Sequence, residues 1–552
     1  VGVWAICGLA WVWLSAGCDE KKKSDPCGGI TCSGHGDCTL VDGEPTCGCD
    51  DGYVADGLHC VDAGGEVSTT DQVVQYGVVW TFDSPTAFGR YANGDYWVVG
   101  PVTVTAISPA FDGAHHGWEV NPDDPVEQGF DTRVADFDEG RVPLLPYTAQ
   151  PGESLVKGIS KAPLGEECRP CLQTAAVLTV VADVPAQNGR NMFRPPYFGS
   201  EKKAYMVDDL RTELLPQWAP VEDTPTLAEV CAWFRRVQLD HKTNWVGRAL
   251  HPEDNMPDYG SSIAQRNGAG ALRLLLDDPL EDKRDALIVY VQMGIDLYHM
   301  VQNGTTWPPN GGHSEGRKLP ITFAAVLLDD PQMQQTVFES GHDVFGENGG
   351  MYASAAAQTV LYGQQDNSAE SYWTNIVFDT GSRTIIDPYH WIDGGHRPGG
   401  SYQFCCTSLP WKISATALHL FPELIAVWNF DPFLSYVERW VTFGAWSQPD
   451  PCAPPTGVCV GGDNPGAACT SASAPTVCTG ADGACDLTAN WDADYGVRYG
   501  PDGQGGCILD EDPSDGTGRF PQLHGVNADD GHYGSAFADN LWEAHVTTEA
   551  TP

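Results

Sequence analysis

Two stretches of the chain, GALRLLLDDPLED at 270–282 and TFAAVLLDDPQMQ at 322–334, run apolar and then turn acidic at an Asp-Asp-Pro corner. Each predicts a helix that ends on the corner and hands over to a second helix. Asp278 and Asp330 can accept the free N–H groups of the following helix, and Pro279 and Pro331 sit where a missing N–H costs nothing. A recurring helix–corner–helix unit predicts stacked helical hairpins. The polar runs QRNGAG (265–270) and GGHSEGRK (311–318) then read as helix starts that fall near one another. The alternative is a plain helical bundle in which these residues only cap.

The same periodicity extends over 224–446. TPTLAEVCAWFRRVQLDH (224–241) predicts a helix opened by a capping box, Thr226 with Glu229 three residues on. Helices follow at 260–276 and 280–301, and the second is apolar nearly all round, which describes an inner helix. Another spans 317–329, with a short one from Pro331. After a loop-rich stretch, 340–405, Pro422 divides one helix from the next and Asp431-Pro432 begins the last. Upstream, 72–215 alternates in the manner of strands: VVQYGVVWTF, YWVVGPVTVTAISP and AAVLTVVADVP, separated by Gly, Pro, Asn and Asp. This predicts a β-sandwich-like domain with Tyr96 and Trp97 in the sheet core. Residues 448–490 read as a Cys-rich, disulfide-pinned insertion, and 491–552 as a Gly/Asp-rich segment with one helix at 534–545.

Cysteine usage adds the compartment. The first residues, VGVWAICGLAWVWLSAGCDEKKKSDP, form an apolar run that stops at small residues before a cysteine. They resemble a bacterial lipoprotein signal (1–17), with Cys18 as the lipidated residue and 18–26 as a tether. That implies an exported protein on the outer membrane or cell surface, touching membrane only through the lipid. Six of the 19 cysteines fall within 27–60, in CGGITCSGHGDCTLVDGEPTCGCDDGYVADGLHC, the density of a disulfide framework. The segment resembles an EGF-like module, which implies the pairings Cys27–Cys38, Cys32–Cys47 and Cys49–Cys60. Its calcium-binding form needs acidic and amide clusters for which only Asp25 and Asp42 are present. Cys231, on an amphipathic helix, is expected to be a buried free thiol. Cys168 and Cys171 are expected in a local or cross-loop disulfide, and the cysteines of CCTS (405–408) to be bridged.

The net charge of −44, from 74 acidic and 30 basic residues, excludes nucleic acid as a partner. It is uneven. Residues 225–446 carry only −11 of it, so an acidic shell surrounds a less acidic helical region that leaves room for an anion site.

Candidate chemistry gathers in the loops of that region. Arg266 and Asn267 lie in QRNGAG; His313, Glu315, Arg317 and Lys318 lie in NGGHSEGRK; Tyr389, His390, His396, Arg397 and Tyr402 lie in DPYHWIDGGHRPGGSYQ. Removing a proton α to a uronate carboxylate needs a neutralising donor such as Asn or Arg and a base such as His or Tyr. Helical hairpins with these loops, beside a β-region, resemble the (α/α)-toroid polysaccharide lyases of the heparinase II/III and alginate lyase type. The resemblance covers about 225–446. It implies that Asn267 and Arg266 hold the carboxylate, that His313 or His390 assists, and that Tyr389 or Tyr402 acts as base and acid. Arg317, Lys318, His396 and Arg397 would bind an acidic polysaccharide. A glycoside hydrolase would instead need two opposed carboxylates, such as Glu315 with Asp387 or Asp393. A non-catalytic glycan-binding or adhesion lipoprotein is the reading from another class.

No G-x-S-x-G elbow, Walker loop, Rossmann fingerprint or HExxH occurs. No cofactor is expected. His115-His116 and the loop holding His524, Asp529, Asp530 and His532 are the places where a metal would be sought, with calcium at Asp-rich loops the ion such carboxylates suit. His299 is expected to be a satisfied core histidine.

Overall fold

The computed structural model describes residues 36–41, 44–50, 53–56, 59–62, 67–242, 245–355, 358–363, 403–443, 457–470, 473–486, 498–501, 507–509 and 535–546. The chain divides into two compact units at Ser68. In the first, β1 (Gly36–Val41) pairs antiparallel with β2 (Glu44–Cys49), and β3 (Tyr53–Asp56) with β4 (His59–Asp62). A Cys49–Cys60 bridge joins the two hairpins, as the EGF-like resemblance implies. Cys38 and Cys47 are also disulfide-bonded.

The second unit begins with strands β5 (Thr69–Gln75), β6 (Val78–Arg90), β7 (Tyr96–Val99), β8 (Val102–Ser108), β9 (Trp118–Val120), β10 (Tyr147–Ala149), β11 (Ser154–Ser160) and β12 (Leu172–Val181). They make one eight-stranded sheet, ordered β10-β8-β6-β7-β12-β11-β9 with β5 on β6, that curls into a half-barrel. The expected β-sandwich therefore resolves into a single sheet. The cause is β6. Its thirteen residues are buried at both ends and exposed at Asp83-Ser84-Pro85. Its first half pairs with β8 and its last residues with β7, so one bent strand serves both wings. Strand β12, which runs parallel to β7, is buried from Thr174 to Val180, on both faces. Tyr96 and Trp97 are core, as predicted.

Helices take over with α1 (Leu227–Phe234), α2 (Gly260–Leu274), α3 (Leu280–Gln302), α4 (Lys318–Leu327) and α5 (Pro331–Glu339). Then come α6 (Leu409–Leu420), α7 (Glu423–Trp428), α8 (Asp431–Phe443), α9 (Ala474–Val477) between two strands of a small cystine-rich sheet, and α10 (Ala536–Leu541). About eight of these form the helical region, and no closed toroid is seen among the described residues. Every residue of α3 from Ala286 to Met300 is buried, so it is the inner helix its composition predicts. One continuous core joins sheet and helices, from Val156 and Val177 to Leu272, Ile288 and Trp440.

The two Asp-Asp-Pro corners differ in mechanism. Asp330 caps α5, accepting from the N–H groups of Gln332 (2.9 Å) and Met333 (3.2 Å). Asp278 caps nothing; its carboxylate pairs with Arg273, one oxygen 2.8 Å from Nη2. The second segment has Ala325 where the first has Arg273; Asp330 pairs instead with Lys203 through Oδ2 (2.6 Å), which leaves Oδ1 for the cap. The capping box at Thr226 and Glu229 is present, but α1 ends at Phe234 rather than 241. Beyond it the polar residues Asp240, His241 and Lys242 are all drawn into the core. The run QRNGAG is not a helix start either: it lies inside α2, where a Cβ on Gly268 would stand 2.2 Å from Ile413 of α6.

Disulfides Cys459–Cys478 and Cys469–Cys485 pin the small sheet, Cys168 bridges Cys171, Cys406 is disulfide-bonded, and Cys231 is buried and free. Among the described residues no helix is long and apolar enough to cross a membrane.

Candidate active site

Three loops converge beside the start of α2. The first, 168–171, is closed by its own disulfide and tied down where Cys171 N–H donates to Ala249 O (2.6 Å). It carries Arg169. The second, from Trp245 to Tyr259, carries Arg248, Asp258 and Tyr259. The third, 311–317, precedes α4 and carries His313. Arg169 Nε lies 2.7 Å and Arg248 Nη2 3.1 Å from the same oxygen, Asp258 Oδ2. Two guanidinium groups on one carboxylate leave a local positive charge. The Arg248 guanidinium lies 4.6 Å from the centre of the Tyr259 ring, which meets the His313 ring edge-on at 5.1 Å. His313 is half-buried. Burial, then Arg248, Arg317 and Arg169, push its pKa down to about 4. The imidazole is therefore uncharged near pH 7, with its Nε2 buried.

A buried aspartate clamps two of these loops together. Asp240 accepts from Arg317 Nε (2.8 Å) and Nη2 (3.0 Å), and His251 Nε2 lies 3.2 Å away. Arg317 Nη1 donates onward to the carbonyls of His313 (3.2 Å) and Glu315 (2.7 Å), which shapes the third loop. His251 Nδ1 lies 3.2 Å from Pro257 O, which fixes the second loop next to Asp258. Burial works against the charge on Asp240, but Arg317 and His251 hold its carboxyl well below the usual range. Asn267 Nδ2 donates to Gly316 O (2.9 Å) and Glu347 accepts from Gly316 N–H (2.6 Å). Gly316 has φ +94°, and a Cβ there would sit 2.3 Å from Ala264 Cα, so the turn has room only for glycine.

The structure thus brings the QRNGAG and GGHSEGRK runs together, through Asn267 and Gly316. Their polar groups largely face inward. Asn267 is buried and holds backbone, and Arg317 is spent on Asp240. Lys318 is buried beneath Trp428, with Nζ 2.6 Å from its carbonyl and burial driving its pKa down. Arg266 packs over the Trp233 ring at 5.9 Å. Glu315 is 1 % exposed and accepts from Trp411 Nε1 (2.5 Å); burial and then the adjacent Glu347 keep its carboxyl protonated far above the usual range. His313 alone of the expected catalytic residues is partly open to solvent among those described. Tyr389, His390, His396, Arg397 and Tyr402, with Asp387 and Asp393, lie outside the described residues, as do Cys18, Cys27, Cys32, His524, Asp529, Asp530 and His532.

Tyr259, Arg248, Asp258 and Arg169 were not singled out by the sequence. For Asp258 and Tyr259 the signal was there in HPEDNMPDYG (251–260), a proline-bounded polar run just before a helix. His115 and His116 are structural. His115 Nδ1 is 3.1 Å from Asp112, and His116 Nδ1 accepts from Ser160 N–H (3.0 Å). Among the described residues the one group of three potential metal ligands is Cys459, Cys469 and Cys478, all in disulfides. The three-loop cluster sets an uncharged imidazole, a phenol and two arginines beside one another, the group types that acid–base chemistry next to an anion uses. No protein family, curated protein or solved structure matches this chain.

Proposed function

We propose that the chain is an exported, surface-anchored polysaccharide-degrading enzyme, a lyase that cleaves uronic-acid glycans by β-elimination. The observation that carries this reading is the neutral imidazole of His313 against Tyr259, under Arg248 and beside Arg169. The arginines take the uronate carboxylate and stabilise the negative charge that develops when the α proton leaves. His313 removes that proton, and the Tyr259 phenol protonates the departing glycosidic oxygen. Asn267, Arg317 and Asp240 are positioning residues that hold the loop of His313. Arg266, His396 and Arg397 remain the proposed outer contacts for an acidic chain, Lys318 being too deeply buried to serve as one, and Tyr389, His390 and Tyr402 the proposed partners from the 387–403 loop. The disulfides favour an oxidising compartment. The EGF-like segment would serve as spacer above a lipid on Cys18. A hydrolase built on Glu315 is disfavoured, because that carboxyl is sealed under Trp411.

Purified full-length protein incubated with alginate, glycosaminoglycans and pectin should raise the absorbance at about 235 nm, the band of the unsaturated uronate that elimination leaves. His313→Ala and Tyr259→Phe should each lower the rate by about a hundredfold or more. New reducing ends without absorbance would replace the lyase with a hydrolase. Glycan affinity with neither would leave a binding protein. Undiminished activity in both variants would remove this site from the mechanism.

A further inference from the structure

At the foot of the His313 loop, Lys318 opens α4 with its side chain wholly in the interior, 0 % exposed, and its Nζ 4.3 Å from the centre of the Trp428 ring. Nζ donates to two carbonyl oxygens, Asn348 Oδ1 (2.5 Å) and Trp428 O (2.6 Å). Neither partner carries charge, so burial drives the group toward the free amine, against the opposing field of Glu347. A free amine is a nucleophile. Asn348, also buried, closes the short helical turn Gly346–Asn348. Its Nδ2 donates to Ser340 O (2.6 Å), which holds the amide with Oδ1 toward Lys318. The amide carbon stands one C=O bond behind Oδ1 and so at most about 3.7 Å from Nζ, near the roughly 3–3.5 Å of a near-attack contact.

An acid stands beside this pair. Glu347 precedes Asn348 in the same turn and is 1 % exposed. Its Oε1 accepts from Gly316 N–H (2.6 Å), while Oε2 is buried without a hydrogen-bond partner. Burial favours its protonated form, and it is the carboxyl whose charge registers at Lys318. A plain lysine–asparagine hydrogen bond accounts for Nζ and Oδ1 but not for the unused acid next to them. Amine, amide and proton carrier together are what transamidation needs, and the interior keeps out the water that would compete with the amine.

We propose that Lys318 and Asn348 join in an isopeptide bond that the chain forms on itself once folded, with Glu347 passing the proton. Nζ attacks the side-chain amide carbon of Asn348; the C–Nζ bond forms, the C–Nδ2 bond breaks, and ammonia leaves. Glu347 gives its proton to Nδ2 and recovers one from Nζ, so the step is redox-neutral and the acid is restored. The product ties α4 to the 346–348 turn across a span of 30 residues. The test is a digest of the purified full chain, denatured, reduced and cut with chymotrypsin, which cleaves between the two residues at Phe323 and Phe338. The peptides carrying 318 and 348 should emerge joined, about 17 Da lighter than their sum for the ammonia lost, with fragmentation placing the link on those two side chains. Glu347→Gln keeps an acceptor for Gly316 N–H and removes the acid; it should lower the joined fraction about tenfold or more. Because a change in this core can impair folding, the unmutated chain decides the matter by itself. Two separate peptides of full mass from folded protein, or a link between other residues, would overturn the proposal, and full joining in folded Glu347→Gln would overturn the proton route.

Discussion

At His299 both ring nitrogens lie in the core without a hydrogen-bond partner, between the rings of Tyr205 and Tyr298. The sequence predicts a satisfied core histidine; it is buried but unsatisfied. Burial, with Lys202 and Lys203 nearby, lowers its pKa to about 4. The unfolded imidazole titrates near 6.5, so the folded state holds fewer protons between those values. Its stabilising contribution is complete above about pH 6.5 and is lost as the pH falls toward 4. His299→Met should therefore flatten the acid side of the stability curve by up to about 1.4 kcal/mol per pH unit, measured by urea unfolding between pH 4 and 6.5. An unchanged slope would mean that the ring is solvated. His313 has the same direction of shift for a partly different reason, since three arginines add to burial. NMR titration should find it changing charge near pH 4, and Arg248→Gln should move that midpoint upward. A midpoint fixed at 6.5 in both proteins would remove the electrostatic argument for a neutral base.

The Asp-Asp-Pro corners show how far an element can be read from its sequence. Helix, corner and following helix are legible in the apolar period and the proline. What each aspartate does is not, because it turns on a residue five positions back. Asp330→Ala should cost about 1–2 kcal/mol through loss of the α5 cap, beyond the ion pair to Lys203 that it also removes, whereas Asp330→Asn keeps a cap acceptor and removes only that pair. At Asp278 the result should depend on Arg273. There the double variant Arg273→Leu/Asp278→Asn should be less destabilised than the two single losses summed, since both remove one ion pair. Additive losses at 278 and 273 would refute the pairing account. The premature end of α1 was illegible for a related reason: Asp240 and His241 leave the helical path for partners about 75 residues ahead and 45 behind, Arg317 and Tyr197. Helical propensity is a local quantity, and a buried ion pair outweighs it.

On the scale of the whole molecule, strand content and the inner helix follow from periodicity, whereas the single curled sheet depends on how one long strand divides its partners. The candidate site was half legible. His313 and its loop stand out by composition, but Tyr259, Arg248 and Arg169 are ordinary loop residues until the fold collects them. The charge of −44 acts at this scale too. Self-repulsion on a shell so acidic is relieved by salt, whose screening length falls from about 30 Å at 0.01 M to about 10 Å at 0.1 M. The melting temperature should rise by several degrees over that range, and a fall would mean that specific ion pairs outweigh the net field. The clamp at Asp240 has a kinetic corollary. Because one buried carboxylate fastens the strand of chain after α1, the loop of Tyr259 and the loop of His313, none of the three can be released alone without stranding a charge in the interior. Their slow amides should then exchange with solvent on the clock of the inner helix, as one opening event for the entire domain, so that the wall of the site is as durable as the core behind it.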